Sequence, residues 1–179
     1  DTWISYFNKI YECISENPLR NTVLILGFGM GAIPQRLSKD KYVSKIDCVD
    51  NDDELFSYFK KIFPLYSSKI NLHYSDANKF LKKCVTKYDI IIDDVFDGLN
   101  KIELDYILIK KLLNKDGVLY LNNYDKNFRN IRIVKKIKTI FGNGLNKPLK
   151  ITPNHILHAK NITHPSSDKL FPKDNNKHN

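Results

Sequence analysis

The chain has 179 residues, enough for one domain with a sizeable core and too few for two. Hydrophobic residues make up 42% and aromatics 12%, a globular composition, and no apolar run approaches the roughly 20 residues of a membrane span. The formal charge is +9, from 29 Lys and Arg against 20 Asp and Glu, with the lysines spread over every predicted helix and loop. Such spreading points first to a solvated surface and only weakly to a nucleic-acid partner, for which Arg129, Arg132, Lys135, Lys136 and Lys138 on one predicted helix are the best-placed groups. Cys13, Cys48 and Cys84 are odd in number and lack C-x-x-C spacing. Disulfides and a metal site are therefore not expected, which suits a cytoplasmic protein. No secretory leader is visible, and the sequence opens on Asp1 rather than Met, so further sequence upstream is expected.

Trp3, Phe7, Ile10 and Ile14 fall at helical spacing and predict an amphipathic helix over residues 2–16, ending near Pro18. A strand at 23–26 then turns through glycines into a helix reaching about Lys39. Strand two is expected at 46–49, a helix at 52–63, strand three at 70–74, a helix at 77–84 and strand four at 88–93. Residues 102–113 read as helical, 115–117 as a turn, 118–122 as strand five and 128–141 as a helix. Two last strand-like runs, 149–152 and 155–159, are separated only by Pro153-Asn154. Strands alternating with helices imply right-handed crossovers and a parallel sheet, whereas so short a link forces the final pair into an antiparallel hairpin. The expected organisation is a helix and lead-in over 1–21, an α/β domain over 22–160 and a disordered polar tail over 161–179.

The stretch from Asn21 to Ala32 places Gly27, Gly29 and Gly31 between a buried strand and a helix, and Asp50 ends the next apolar run. This arrangement suits an adenosine-bearing cofactor: glycines let backbone approach it, and the carboxylate can accept from a ribose diol. Alone, Gly27-x-Gly29-x-x-Ala32 fits a nicotinamide dinucleotide equally well.

Downstream motifs separate the two. Val23-Leu-Ile-Leu-Gly-Phe-Gly-Met-Gly, Ile46-Asp-Cys-Val-Asp50-Asn51, Tyr74-Ser-Asp76-Ala77 and Tyr88-Asp-Ile-Ile-Ile-Asp-Asp94-Val-Phe-Asp97-Gly98 occur in that order. With the terminal hairpin, they resemble the class I S-adenosylmethionine-dependent methyltransferases, and within these the spermidine synthase-like branch, over about residues 10–160. The resemblance implies a doubly wound, seven-stranded, mostly parallel Rossmann-like sheet. It implies that Gly27, Gly29 and Gly31 line the cofactor, S-adenosylmethionine or its decarboxylated form, that Asp50 with Asn51 beside it holds the ribose, and that Asp76 and Ala77 meet the adenine. It also implies that Asp94 binds the donor and helps deprotonate an attacking amine, and that Asp97 assists the acceptor. A carboxylate in that role is sound chemistry, because an amine attacks only when neutral.

Departures from the pattern set the ranking. Spermidine synthases carry an Asp in the Gly-rich loop where this chain has Met30, and they carry flanking segments that close a polyamine pocket. The expectation is thus methyl transfer first, to a small-molecule or amine acceptor, then aminopropyl transfer, then a cofactor-binding scaffold without catalysis, and a nicotinamide enzyme last. A homodimer is compatible with exposed aromatics on the first helix.

Other conspicuous groups have simpler readings. Asp93 alternates with Asp94 and is expected on the opposite side of the sheet, as a helix cap or surface residue. Asp89 reads as structural, His73 as a strand residue without special role, and His155 and His158 as a poor metal pair facing opposite ways. The Asn122-Asn123-Tyr124 run lies at the cofactor end of strand five, within reach of substrate.

Overall fold

The computed structural model describes residues 2–98, 100–124, 131–144, 149–151 and 154–162. In β1 (Thr22–Leu26) the last four residues are all buried, as a strand covered on both faces requires. Its side chains alternate between two cores: Val23 and Ile25 join one, Leu24 and Leu26 the other. The first core is covered by α1 (Thr2–Ser15), α2 (Ala32–Leu37) and α3 (Asp53–Ile62). Opposite them pack α4 (Ala77–Lys83), α5 (Tyr106–Leu112) and α6 (Ile131–Phe141).

Between these layers runs a seven-stranded sheet. With β2 (Lys45–Asp50), β3 (Ile70–Tyr74), β4 (Tyr88–Asp93), a two-residue hairpin of β5 (Phe96–Asp97) and β6 (Asn100–Lys101), β7 (Leu113–Tyr124), β8 (Leu149–Ile151) and β9 (Asn154–Lys160), the sheet order is β3-β2-β1-β4-β7-β9-β8. The first five strands in that order are parallel, and β9 pairs antiparallel with both β7 and β8. The expected sheet and edge hairpin are therefore present. The chain leaves β1 one way towards β2 and β3 and returns on the other side at β4, which opens a crevice beyond the carboxyl ends of β1 and β4.

Several local expectations need correction. In α1 the inward stripe is Tyr6, Ile10 and Ile14, all fully buried, while Phe7 and Tyr11 pack partly against the same core. These aromatics are thus not an exposed face. Residues 102–104 are not helical: Asp105 caps α5 by accepting from the amides of Ile107 and Leu108, so the helix starts only at Tyr106. The turn at 115–117 is a bulge inside β7 rather than a break before it, since Tyr88 pairs with Leu113 while Ile90 already pairs with Val118. Asp116 adopts φ 62 there, as turn chemistry demands. The start of the 128–141 helix, the Pro153 turn and residues 163–179 of the expected tail lie outside the described residues. Among the described residues no helix is long and apolar enough to cross a membrane.

Asp89 holds the amino end of this sheet together, which agrees with its structural reading. One carboxylate oxygen accepts from the amides of Asn21 and Thr22, each at 3.0 Å, and from the Thr22 hydroxyl at 3.2 Å; the other accepts from the Asn114 amide at 2.7 Å. Asp89→Ala should therefore lower stability by about 1–3 kcal/mol, measured as a shift in the urea midpoint, because it leaves the partly buried Thr22 amide and the Asn114 side chain without their acceptor.

Candidate active site

The glycine loop is pinned from two directions. Beneath it, Phe28 is buried edge-on against Phe56 at 4.9 Å and Phe59 at 5.0 Å between ring centroids. Beside it, Asp50 accepts from the Phe28 amide at 2.7 Å through one oxygen and from the Asp52 amide at 3.0 Å through the other. Each carboxylate oxygen has a second lone pair, so both remain able to accept from a ribose diol. Gly27 adopts φ 86, and a Cβ there would lie 2.4 Å from the Asp94 carbonyl oxygen, so only glycine allows the two strand tips to touch. At the crest, Gly29 and Met30 are exposed, and nothing lies within 4 Å of a Cβ built on Gly29. The loop thus presents open backbone to the crevice.

Asp94 continues the line of β4, its amide donating to the Leu26 carbonyl at 2.8 Å. Its parity places it on the same side as Ile90 and Ile92, the side that α1 covers. The Asn122 side-chain amide donates to its carboxylate at 2.7 Å. Burial pushes the Asp94 carboxyl up to about 6; the Asn122 hydrogen bond and the Lys101 charge oppose this, and the Asp93 charge adds to it. Tyr6 reaches the same place from α1. Its phenol is held well above its usual range by burial and by the charges of Asp94 and Asp93, with Asn122 acting the other way. The Tyr6 hydroxyl and the side-chain oxygens of Asn122 and Asn123 are buried without hydrogen-bond partners among the described residues.

Asp93 departs from its sequence reading. It does point away from Asp94, but its side chain is fully buried, not a surface residue or cap. It accepts from the Lys101 ammonium at 2.5 Å and from the Tyr106 hydroxyl at 2.9 Å. The Lys101 side chain is equally buried.

The other candidates are more dispersed. Asp97 is exposed on the β5–β6 hairpin, beside the turn at Gly98. Asp76 is exposed and caps α4 by accepting from the Lys79 amide at 2.8 Å; Asn51 is exposed and Ala77 buried. His73 has a role the sequence did not suggest, since its ring nitrogen lies 3.0 Å from buried Asp47, which also accepts from the Tyr88 hydroxyl at 2.8 Å. His158 stacks on Tyr120, with ring centroids 5.1 Å apart. Among the described residues no group of three or more His, Cys, Asp or Glu could hold a metal ion. Sequence reasoning missed Tyr6, Phe28 and Lys101. Only Tyr6 left a usable signal, its spacing of four from Ile10.

A family model described as the spermine/spermidine synthase domain matches residues 11–154. The chain belongs to the spermine/spermidine synthase family. Among curated relatives in this family, a polyamine aminopropyltransferase of Clostridium botulinum (strain Eklund 17B / Type B) is 29% identical over 96% of this chain and 62% of its own length. One from Methanocaldococcus jannaschii is 34% identical over 61% of this chain and 42% of its own. The chain thus spans about three fifths of the length of the first and less of the second. Solved structures share the fold. Human methyltransferase-like protein 13 in complex with SAH superposes with a TM-score of 0.68 at 23% identity, over 87% of this chain and 77% of that one. A spermidine synthase in complex with the transition state analogue AdoDATO gives 0.66 at 19% identity, over 84% and 58%.

Two outcomes test this geometry. Gly27→Ala should destabilise the fold by more than the roughly 1 kcal/mol of an average point mutation, because the methyl meets backbone, and urea denaturation reads it directly. Asp94 binds a proton more tightly folded than unfolded, so its contribution to stability is present below about pH 4 and is lost as pH rises through about 6. Asp94→Asn, which stays neutral, should therefore melt higher than the parent at pH 8 and lose that advantage at pH 4.

Proposed function

We propose that this chain is a transferase acting on a sulfonium donor, and that it moves an aminopropyl group from decarboxylated S-adenosylmethionine to an amine acceptor. The observation that carries this reading is Asp94: a largely buried carboxylate with its carboxyl raised to about 6, beside the unpartnered oxygen of Asn122 and across from the open glycine loop. Carbonyl and carboxylate oxygens converging on one crevice fit a cationic ligand. The names of the relatives, polyamine aminopropyltransferases, support aminopropyl transfer and reverse the order expected from sequence. The flanking segments of the relatives carry no weight for or against it, because the chain spans only part of their length. Methyl transfer from S-adenosylmethionine is the second reading, and Met30 favours it: this exposed loop position offers a thioether where an amine would want a carboxylate.

The residues divide the work. The loop of Gly27, Gly29 and Gly31 would line the amino-acid or aminopropyl side of the donor, Asp50 with Asn51 beside it would hold the ribose, and Asp76 would accept from the adenine amine with Ala77 nearby. The bound donor supplies an electrophilic carbon whose bond to sulfur breaks as the acceptor nitrogen bonds to it, the electron pair leaving on a neutral thioether. Asp94 takes the proton from the attacking amine, and Asn122 fixes the carboxylate while it does so. Asp97 on its hairpin would meet the far end of the acceptor. With its midpoint near 6, Asp94 is mostly ionised at pH 7 yet a stronger base than an ordinary carboxylate. The three cysteines are unpaired, and we place this chemistry in the cytoplasm, where thiols stay reduced.

Calorimetric titration of the purified protein with decarboxylated S-adenosylmethionine, S-adenosylmethionine and NAD tests the assignment. Tightest binding of the decarboxylated form is expected. A preference for S-adenosylmethionine would restore methyl transfer, and no heat from either sulfonium compound would leave a non-catalytic scaffold. With a diamine acceptor, turnover should rise with pH through about 6, and Asp94→Asn should cut it by about 10²–10⁴-fold.

A further inference from the structure

We propose that Lys101 is a positioning residue of the site: its buried ion pair with Asp93 clips the two arms of the β5–β6 hairpin together behind β4 and so fixes the place and the charge of Asp94. The proposal rests on the reading of Asp94 as the group that faces the ligand.

The contacts describe a clip. The Lys101 ammonium donates to the Asp93 carboxylate at 2.5 Å, to the Val95 carbonyl at 3.1 Å and to the Asp93 carbonyl at 3.4 Å, which engages all three of its protons. Two of these acceptors are backbone on the arm that leaves β4, and Lys101 itself is on the arm that returns. Neighbouring bonds close the same loop: the Val95 amide donates to Asp93 at 3.3 Å, the Ile102 amide to the Val95 carbonyl at 3.2 Å, and the Tyr106 hydroxyl to Asp93 at 2.9 Å. The ammonium also lies 4.7 Å from the centre of the Phe96 ring, directly across the hairpin ladder. Asp94 is enclosed by this loop, and Asp97 stands at its tip.

Shape alone does not account for charges here. Both side chains are completely buried, and an apolar pair of similar volume would serve packing as well or better, since desolvating two ions is costly. What an apolar pair cannot supply is charge. Asp93 adjoins Asp94 and, left alone, would oppose its ionisation, so a cation is needed for both to carry charge together. The groups that bear on the Asp94 carboxylate are Asp93 from β4, Lys101 from β6, the Asn122 amide from β7 and the neutral Tyr6 phenol from α1. Lys101 is the cation of this set. Its pairing with Asp93 cancels one negative charge and leaves a net single negative charge at the strand tip, enough to hold one ammonium group.

Carbon-13 NMR titration of the Asp94 carboxyl, assigned with Asp94→Asn, tests the proposal without any ligand. Lys101→Met should move its midpoint up by about one pH unit or more, because Asp93 loses its cation. Asp93→Asn should move it down, and Asp93→Val combined with Lys101→Met should return it close to the parent value. A spacer role predicts no such sign pattern: singles that shift the same way or not at all, or a double variant as displaced as Lys101→Met, would overturn the assignment. If Lys101→Met does not fold, Asp93→Asn decides alone, an unchanged or raised midpoint being the overturning result. Should the parent protein bind no sulfonium donor in the calorimeter, the transferase reading fails while these titrations still decide what Lys101 does.

Discussion

The site depends on one close approach, the backbone of Gly27 against the carbonyl of Asp94. In a parallel sheet, neighbouring strand ends diverge into separate loops, and a crevice forms where successive connections depart in opposite directions. Here the two strand tips at that point still touch: Asp94 keeps a ladder-like bond to Leu26 after β4 has ended, and Gly27 bonds across to Val49 on the other side. The glycine loop and the carboxylate are thereby one rigid junction rather than two neighbouring loops. Any side chain at Gly27 would wedge them apart, and with them the Asp50 and Asp94 sides of the crevice.

Around that junction, stability and chemistry are assigned to different faces. The apolar layers beneath it are conventional: alternating residues of β1 and β4 fill two cores, and Phe28 sinks an aromatic anchor into one of them. The polar groups at the tips are less comfortable. Asp94 is buried enough to resist ionisation, and Asn122 and Tyr6 leave oxygen atoms without partners. Structures tolerate such arrangements where a ligand completes them. Asp50 works in both registers at once, bracing the loop through backbone amides while presenting its remaining lone pairs outward.

Much of this was legible in the chain because it is local. Strand-to-helix alternation gave the sheet, the two-residue spacer gave the antiparallel ending, and parity along β4 sent Asp93 and Asp94 to opposite faces. What was not legible depends on residues distant in sequence or on a competition between local signals. The helix expected from Ile102 begins at Tyr106 because Asp105 is a better cap than the apolar pattern is a start signal. Asp93 looks like a surface residue until Lys101, eight positions later and folded back by a hairpin, neutralises it. Tyr6 and Phe7 are both aromatic, and choosing the buried one required knowing which face of α1 meets the sheet. None of these pairings has a fixed sequence spacing that would announce it.

Met30 is 60% exposed, and its side chain sits on the crest of a loop held elsewhere by Phe28, Asp50 and the two flanking glycines. Because so little of the fold leans on it, exchange there for an acidic residue is close to neutral in stability, as for most exposed positions without special contacts. On the proposed reading, a preference between two sulfonium donors that differ by a single carboxylate would then change by one substitution at this position, at little cost to folding.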